Sequence, residues 1–252
     1  MIVDAAVYLG SWPFRPLEGT VGGLSRLTRT NHIDHALVSQ FEGLFHTDPA
    51  SANVRLLKSI EGKRALWAAP ILNLRMPDWE HHLVALAERP QVRALRLAPG
   101  FHGYPVADAR PAILRAAELE RATIVQVRFQ DERHHPPVSH MQPAPMDDVV
   151  ALAAACPGAR VVASGARLRD ILDQAQHIKQ LRNLWMDTSH LDGLACVKDA
   201  CAAVGARRLL FSTCYPFFYA RSAFLKVEEA EIPEREREAI MGRNAEPIFS
   251  PR

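Results

Sequence analysis

Residues 92–128 read VRALRLAPGFHGYPVADARPAILRAAELERATIVQVR and contain a complete strand–helix–strand unit. The two ends, Val92–Leu97 and Thr123–Arg128, are short and mostly apolar, which is typical of strands that are covered on both faces. Between them, Asp108–Glu120 carries its apolar residues at helical spacing. A helix between two buried strands is the repeating unit of α/β folds.

The same alternation continues along the whole chain. Eight strands are predicted, at Ile2–Val7, His35–Ser39, Ala65–Leu72, Val92–Leu97, Thr123–Arg128, Arg160–Ala163, Leu184–Asp187 and Arg208–Phe211. Helices are predicted at Ala50–Glu61, Trp79–Glu88, Asp108–Glu120, Asp147–Ala155, Leu168–Gln180 and Leu191–Val204. No linker divides these units, so we expect one domain over residues 1–252, folded as a closed (β/α)8 TIM barrel. A doubly wound open sheet is the alternative, but no glycine-rich phosphate loop follows the first strand.

Composition excludes several classes of partner. The chain has 252 residues, with 30 Lys and Arg against 28 Asp and Glu and a formal net charge of +2. Such a balanced surface has no strong field to attract nucleic acid or a membrane, so we expect neither as a partner. No apolar run approaches the roughly 18 residues of a membrane span. The first residues predict a strand rather than a leader peptide, and the four scattered cysteines are typical of a reduced cytoplasmic protein.

Polar side chains lie near the predicted carboxyl ends of the strands, where TIM barrels carry their active sites. Gln126 and Arg128 are two residues apart on one strand, so they point to the same side. If that side is the interior, polar groups fill a space that Val, Ile and Leu occupy in other barrels. The candidates for substrate binding at this end are Tyr8, Asn73, Arg96, His102, Gln126, Arg128 and Cys214.

Two of these candidates, Arg96 and Arg128, predict a small anionic ligand, because the guanidinium fork matches a carboxylate or a phosphate. Internal salt bridges, to Asp131, Asp187 or Glu132, are the alternative explanation for both arginines.

Two further side chains have a chemical and a structural interpretation. His190, after the seventh strand, is either an acid–base group or a loop histidine bonded to the main chain. Cys214 is either a nucleophile with His190 as its base or a buried and inert thiol. The sequence leaves these alternatives open.

The longest irregular segment, Phe129–Pro145, follows the fifth strand and is rich in His and Pro. Long loops at the ends of barrel strands often form lids or supply site residues. Asp131 and Glu132 in this loop are candidate catalytic carboxylates. A solvated surface loop, stiffened by its prolines, is the alternative.

Several segments together resemble the amidohydrolase-2 family of metal-dependent hydrolases and decarboxylases. DAAVYLG, residues 4–10, is similar to a first strand usually written Asp-x-His-x-His-x-Gly. Residues 77–97 resemble the helix and strand that follow in that family, and LLFSTCYPF, residues 209–217, resembles a last strand that ends Gly-Ser/Thr-Asp-Tyr-Pro. Residues 242–249 resemble its closing Asn-Ala-x-x-x-Phe helix. These segments follow the family's order along the whole chain, and the resemblance implies a TIM barrel with hydrolase or decarboxylase chemistry.

The resemblance also implies where a divalent metal would be held. We call these places the inherited ligand positions, and they fall at Ala6, Tyr8, Gln126 or Arg128, Ser164 and Cys214. Alanine cannot ligate a metal, and Tyr, Ser and Gln are poor zinc ligands beside imidazole and carboxylate. We therefore expect no metal at these positions and no other cofactor. A relocated ion is the alternative, with Asp131, His134, His135, His140 and His190 as its ligands.

Two functions from different classes follow. The first is an enzyme, a hydrolase or lyase that acts on a small carboxylate-bearing compound without the usual metal, with Asp131, Glu132 and His190 as its catalytic groups. The second is a non-catalytic barrel that binds a small molecule or a protein partner. Polar residues at the strand ends favour an enzyme or a ligand binder, since function belongs to sites and not to folds. Barrel enzymes of this size often pair, so a homodimer is compatible with the sequence.

Overall fold

The computed structural model describes residues 1–130 and 141–250. The strands are β1 (Val3–Trp12), β2 (Leu17–Gly19), β3 (His35–Gln40), β4 (Leu66–Ala68), β5 (Ile71–Leu72), β6 (Ala94–Leu97), β7 (Ala122–Gln126), β8 (Val161–Ser164), β9 (Leu184–Asp187) and β10 (Leu209–Leu210). The helices are α1 (Val21–Thr30), α2 (Ala50–Ser59), α3 (Trp79–Ala87), α4 (Pro99–His102), α5 (Arg110–Glu118), α6 (Met146–Ala154), α7 (Leu168–Asp173), α8 (Ala175–Gln180), α9 (Cys196–Val204), α10 (Ala220–Glu228), α11 (Glu234–Glu238) and α12 (Glu246–Phe249).

Two hydrogen-bonded sheets, β2-β1-β3-β4 and β10-β9-β8-β7-β6-β5, join into one ring. Between β10 and β1, the Ala5 N–H donates to the Phe211 carbonyl at 2.9 Å. Between β4 and the residues before β6, the Arg93 N–H donates to the Ala68 carbonyl at 3.0 Å. Apart from the short antiparallel pair of β1 with β2, the neighbouring strands are parallel. The chain is therefore a (β/α)8 TIM barrel, as the alternating pattern predicts.

The eight predicted strands all form, with ends that differ by a few residues. The largest difference in an end is at β1, which continues five residues beyond Val7 to Trp12, and the predicted strand Ala65–Leu72 is divided into β4 and β5 at Ala69-Pro70. Proline has no N–H to donate to a neighbouring strand, so the ladder is interrupted there. The predicted helix Leu168–Gln180 is likewise divided, into α7 and α8, at Gln174.

The barrel interior has two layers. In the lower layer, Ala94, Ile124 and Val162 are buried in one apolar cluster, and Phe249 of α12 belongs to the same cluster. Two residues further along the same strands, the upper layer holds Arg96, Gln126 and Ser164, because side chains two apart share a face. The sequence therefore places polar side chains inside the barrel, at the end where TIM-barrel sites lie.

The outer core lies between the strands and the surrounding helices. Its apolar residues include Leu24 of α1, Leu56 of α2 and Phe224 of α10. In the part of the chain that the structure describes, no helix is both long enough and apolar enough to cross a membrane.

Candidate functional site

Arg96 lies at the centre of the upper layer and is fully buried. Its Nε donates to Ser39 Oγ at 2.8 Å, and its Nη1 donates to Gln126 Oε1 and, at 3.3 Å, to Ser164 Oγ. Its Cζ is 5.0 Å from the centre of the Tyr8 ring, which is cation–π distance. We call Arg96 with Tyr8, Ser39, Gln126 and Ser164 the guanidinium centre. Each member is at most 2% exposed, so solvent does not reach it.

The hydrogen bonds of Ser39 and Gln126 hold these two side chains in place for Arg96. Ser39 Oγ donates to the Ala69 carbonyl at 2.6 Å, so its lone pairs face the guanidinium. Gln126 Nε2 donates to the Arg128 carbonyl at 2.6 Å, which fixes the amide with its oxygen toward Arg96. The Tyr8 hydroxyl donates to the same oxygen at 3.2 Å. The centre is thus built from neutral oxygen atoms and one aromatic face around a single cation.

Aromatic rings cover the guanidinium centre. The Tyr8 ring stacks on Phe41 with 5.0 Å between the ring centres, and Phe129 meets the edge of Tyr8 at the same distance. Trp12 and Phe217 pack edge to face at 4.7 Å. These rings belong to one buried apolar cluster, which we call the aromatic cap; it contains Tyr8, Trp12, Phe41, Phe129 and Phe217, with Phe14, Phe45 and Phe101 at its edge. A ligand that reached Arg96 would have to displace these rings.

Two acidic side chains lie in the same region. Asp187, at the end of β9, is fully buried, and its Oδ1 accepts from the Ser189 N–H at 3.0 Å. Burial raises the pKa of the Cys214 thiol well above its usual range, and the charge of Asp187 adds to this effect. Asp4 accepts from the Thr213 N–H at 3.0 Å and from the Thr213 hydroxyl at 2.5 Å. Burial raises the pKa of Asp4 to about 7.

The inherited ligand positions do not fit a divalent metal. Arg96 donates to the side chains at two of them, Gln126 and Ser164, and its guanidinium faces the ring at a third, Tyr8. A guanidinium repels a cation, and the donors around it are a phenol, an amide and a hydroxyl. Within residues 1–130 and 141–250, no three His, Cys, Asp or Glu side chains form a metal-binding group. Four of the five ligands considered for a relocated ion, Asp131, His134, His135 and His140, lie outside the described residues.

Beside β9, Ser189 connects an acid to a base. The Ser189 hydroxyl donates to Asp187 Oδ1, and its oxygen is 2.8 Å from His190 Nδ1. The Ser189 hydroxyl donates its proton to Asp187. The hydrogen bond between Ser189 and His190 therefore needs a proton on His190 Nδ1, which donates to the Ser189 oxygen. Nε2 makes no hydrogen bond of normal geometry to the described residues, although the ring also interacts with the main chain of Phe129. Burial lowers the pKa of His190, although Asp187 and the main chain of Phe129 act in the opposite direction.

A cavity of about 410 Å³ lies next to this group, between the loop after β9 and helix α10. Ser189 and Phe218 line it, and so does Lys226 of α10. We call it the β9 pocket. Lys226 Nζ donates to the main-chain carbonyls of Thr188 at 2.9 Å and Ser189 at 3.1 Å. No ion pair of Lys226 with a described carboxylate is found, although the charges of Asp192, which lines the pocket, and Asp187 act on it, and burial lowers its pKa. A cation that holds two carbonyls keeps a third N–H for a ligand.

A second cavity, of about 430 Å³, lies at the edge of the aromatic cap, where Phe45 and Phe101 line it. His102 and Asn73 both line it, together with Arg75 and Phe101. His102 Nε2 is 3.1 Å from the Gly43 carbonyl, and Asn73 Nδ2 donates to the Thr47 carbonyl at 2.8 Å. These bonds anchor both side chains to the main chain.

Arg128 points to the neighbouring β–α unit. Its Nη1 forms an ion pair with Asp170 of α7, and its side chain is 9% exposed. Asp170 Oδ2 also accepts from the Arg167 N–H at 2.8 Å, so the ion pair fixes the start of α7. Among the described residues, Asp170 is the acidic partner of Arg128. Of the partners expected from the sequence, Asp131 and Glu132 lie outside the described residues.

The predicted site residues therefore fall into separate groups. Tyr8, Arg96 and Gln126 are in contact, and Cys214 belongs to the same apolar cluster as Tyr8. Asn73 and His102 share the second cavity. The predicted catalytic carboxylates, Asp131 and Glu132, lie outside the described residues.

Sequence reasoning missed Lys226 and Ser189. Lys226 was missed because its helix, α10, was not among the predicted helices. Its buried residues Ala223, Phe224 and Val227 mark a core-facing side. A lysine between two of them, at position 226, is unusual, because lysine is seldom buried without a partner.

Comparison with solved structures gives the same architecture over nearly the whole chain. A 5-carboxyvanillate decarboxylase from Sphingomonas paucimobilis is 13% identical, covers 98% of each chain and has a TM-score of 0.75. A 2,6-dihydroxybenzoate decarboxylase from Rhizobium is 16% identical, with 98% coverage of each chain and a TM-score of 0.74. A dihydroxybenzoic acid decarboxylase from Polaromonas sp. JS666, with bound manganese and an inhibitor, is 14% identical over 98% of this chain and 96% of that chain, with a TM-score of 0.72.

No protein-family model and no curated protein match the chain. At 13–16% identity, the solved structures establish how the chain folds and not what it acts on. The chain therefore has a TIM-barrel fold, which is the fold that its resemblance to the amidohydrolase-2 family implies.

Proposed function

We propose that the protein is a hydrolase or carboxy-lyase that acts on a small carboxylate-bearing compound, and that it binds this compound in the β9 pocket. The observation that carries the proposal is Lys226, a cation in the wall of a 410 Å³ cavity whose only hydrogen bonds in the described structure go to two main-chain carbonyls. A carboxylate is the natural third partner, because charge-assisted hydrogen bonds are stronger than neutral ones. Ligand sites of this kind are commonly cavities of about 300–1,000 Å³ with a few polar groups.

The groups beside Lys226 supply a route for a proton. Ser189 both lines the pocket and contacts His190 and Asp187. His190 Nδ1 can therefore give its proton to the Ser189 oxygen as the Ser189 hydroxyl gives its own proton to a bound compound, while Nε2 takes up a proton in exchange. Lys226 would hold the carboxylate, His190 would exchange the proton, and Asp187 would stabilise the charged states. This division of roles is that of general acid–base catalysis.

The fold supports the same class of reaction. The decarboxylases of 5-carboxyvanillate and 2,6-dihydroxybenzoate, which are aromatic carboxylates, share this barrel. Fold alone gives only analogy, so the substrate class rests on Lys226 and the shape of its pocket.

The experiment is a ligand and turnover screen on the full chain. The probes are 2,6-dihydroxybenzoate, 5-carboxyvanillate and their analogues without the carboxylate, with binding measured by calorimetry and turnover by loss of ultraviolet absorbance. We expect a carboxylate to bind the wild-type protein and to bind Lys226→Met at least about tenfold more weakly, since a lost charged hydrogen bond costs about 1.5–3 kcal/mol. Ser222→Ala is the matched control, because Ser222 lines the same pocket but donates to the Tyr219 carbonyl. Equal binding by Lys226→Met and wild type would refute this role of Lys226.

A non-catalytic barrel is the second candidate, and the sealed guanidinium centre favours it. Tyr8, Arg96 and Gln126 are at most 2% exposed, and TIM-barrel enzymes carry their chemistry at this end of the strands. This candidate predicts carboxylate binding without turnover, and with no change in the ligand after long incubation.

A further inference from the structure

We propose that the Arg96 guanidinium occupies the space that a divalent metal would fill between the inherited ligand positions, and that it supplies the positive charge of that space permanently. The inference is independent of the proposed function, since Arg96 does not line the β9 pocket.

The first support is position. Arg96 hydrogen-bonds to the side chains of Gln126 and Ser164, which lie opposite each other in the register of β7 and β8. Its guanidinium carbon is 5.0 Å from the centre of the Tyr8 ring. These are three of the inherited ligand positions, on three different strands. A cation that touches all three lies in the middle of the set.

The second support is the replacement of ligands by partners that suit an arginine. The positions carry an aromatic ring, an amide oxygen and a hydroxyl. The two oxygens accept hydrogen bonds from a guanidinium, and the ring face attracts its positive charge. None of them needs to lose a proton to do so, whereas metal ligation by thiol or imidazole depends on deprotonation. The substitutions at these positions therefore form one consistent set around Arg96.

The third support is charge. Asp187 is fully buried, and its Oδ2 makes no hydrogen bond to the described residues. Arg96 Nη2 is the corresponding unsatisfied donor. Both charges act on Tyr8 and on Cys214, so they share one buried region. Removal of the guanidinium would leave Lys226, on the side of the β9 pocket, as the cation that acts on Asp187 and on Cys214.

The first test is thermal unfolding of the full chain with and without EDTA. We expect the Tm of wild type to be unchanged by EDTA, by Zn²⁺ and by Mn²⁺. Arg96→Met should lose at least about 10 °C, because it leaves the buried oxygens of Ser39, Gln126 and Ser164 without the donor that they share. Arg96→Lys should lose less, since it keeps the charge. Arg208→Met is the matched control, because Arg208 is also buried but donates to the Leu181 main-chain carbonyl, and we expect it to lose less than half as much.

The second test asks whether Arg96 and a metal exclude each other. The four changes Ala6→His, Tyr8→His, Ser164→His and Cys214→Asp restore metal ligands, and they are made with Arg96 present and with Arg96→Met. Dialysis against Zn²⁺ and elemental analysis should find about one equivalent with Arg96→Met and less than about a tenth of that with Arg96. Equal zinc in both proteins would overturn the proposal. If these variants do not fold, the first test decides: a wild-type Tm that falls in EDTA, or an Arg96→Met Tm within about 2 °C of wild type, overturns it.

Discussion

Asp4 gives the sharpest prediction of stability, because its carboxyl group is fully buried at the junction of the first and last strands. It accepts two hydrogen bonds from Thr213, but burial outweighs them and raises its pKa from 3.8 to about 7. At 1.36 kcal/mol for each pKa unit, this difference corresponds to about 4 kcal/mol. The folded state holds the Asp4 proton more tightly than the unfolded state does between about pH 4 and pH 7. The stabilisation is therefore complete below about pH 4 and is lost as the pH rises through about 7.

Asp4→Asn removes this titration while it keeps the shape of the side chain. We expect the free energy of unfolding of wild type, relative to Asp4→Asn, to fall by about 3 kcal/mol between pH 4.5 and pH 7 and then to stay constant. The buried histidines His102 and His190 have lowered pKa values, so they make the free energy of unfolding rise over the same pH range. Both proteins contain these histidines, so their contribution cancels in the difference. Urea unfolding followed by tryptophan fluorescence at several pH values measures it.

Thr213→Val is the internal control for this prediction. It removes the hydroxyl that donates to Asp4 Oδ2 at 2.5 Å and that lowers the Asp4 pKa. The midpoint of the pH dependence should then move above that of wild type. If the difference between wild type and Asp4→Asn is flat with pH, or rises with it, then Asp4 is ionised in the folded protein and the reasoning from burial is wrong.

Three further predictions concern the cap, the ion pair and the proton route. Phe41→Ala should cost about 3–5 kcal/mol in urea unfolding, because Phe41 is fully buried and stacks on Tyr8; a cost below about 1 kcal/mol would mean that the aromatic cap is not tightly packed. Arg128→Met and Asp170→Asn should each destabilise the protein, and the double variant by less than the sum, since the two side chains form one ion pair; additive losses in the same assay contradict this. Ser189→Ala should leave carboxylate binding to Lys226 within about threefold of wild type but remove most of any turnover, because it breaks the contact with His190; unchanged turnover would show that no proton passes through Ser189.

The fold was predictable from the sequence because each buried strand is a short apolar run and each crossover has helical spacing. Local pattern fails where a single residue interrupts it. Pro70 lies inside an apolar run and splits one predicted strand into β4 and β5. Helix α10 was missed, and with it Lys226, the residue on which the proposed function rests.

The site was only partly predictable, because its contacts join residues from distant segments of the chain, and the pattern of one segment does not show them. The sequence places Arg96 and Gln126 at strand ends, and the register of β6 with β7 then brings them together. Arg128 is two residues beyond Gln126, and its partner, Asp170, comes from the next β–α unit, 42 residues away. Alternation within a strand cannot identify such a partner. The sequence also could not show that aromatic rings from four separate segments, at Tyr8, Phe41, Phe129 and Phe217, would close over Arg96.

We propose that a guanidinium, and no metal ion, lies between Tyr8, Gln126 and Ser164. Anomalous X-ray diffraction at the zinc and manganese edges, from crystals grown with each ion in turn, measures this directly. The account predicts density for the Arg96 side chain in contact with Gln126 and Ser164 and no anomalous peak among these residues. An anomalous peak bonded to Tyr8, Ser164 or Cys214, with Arg96 turned away, would contradict it.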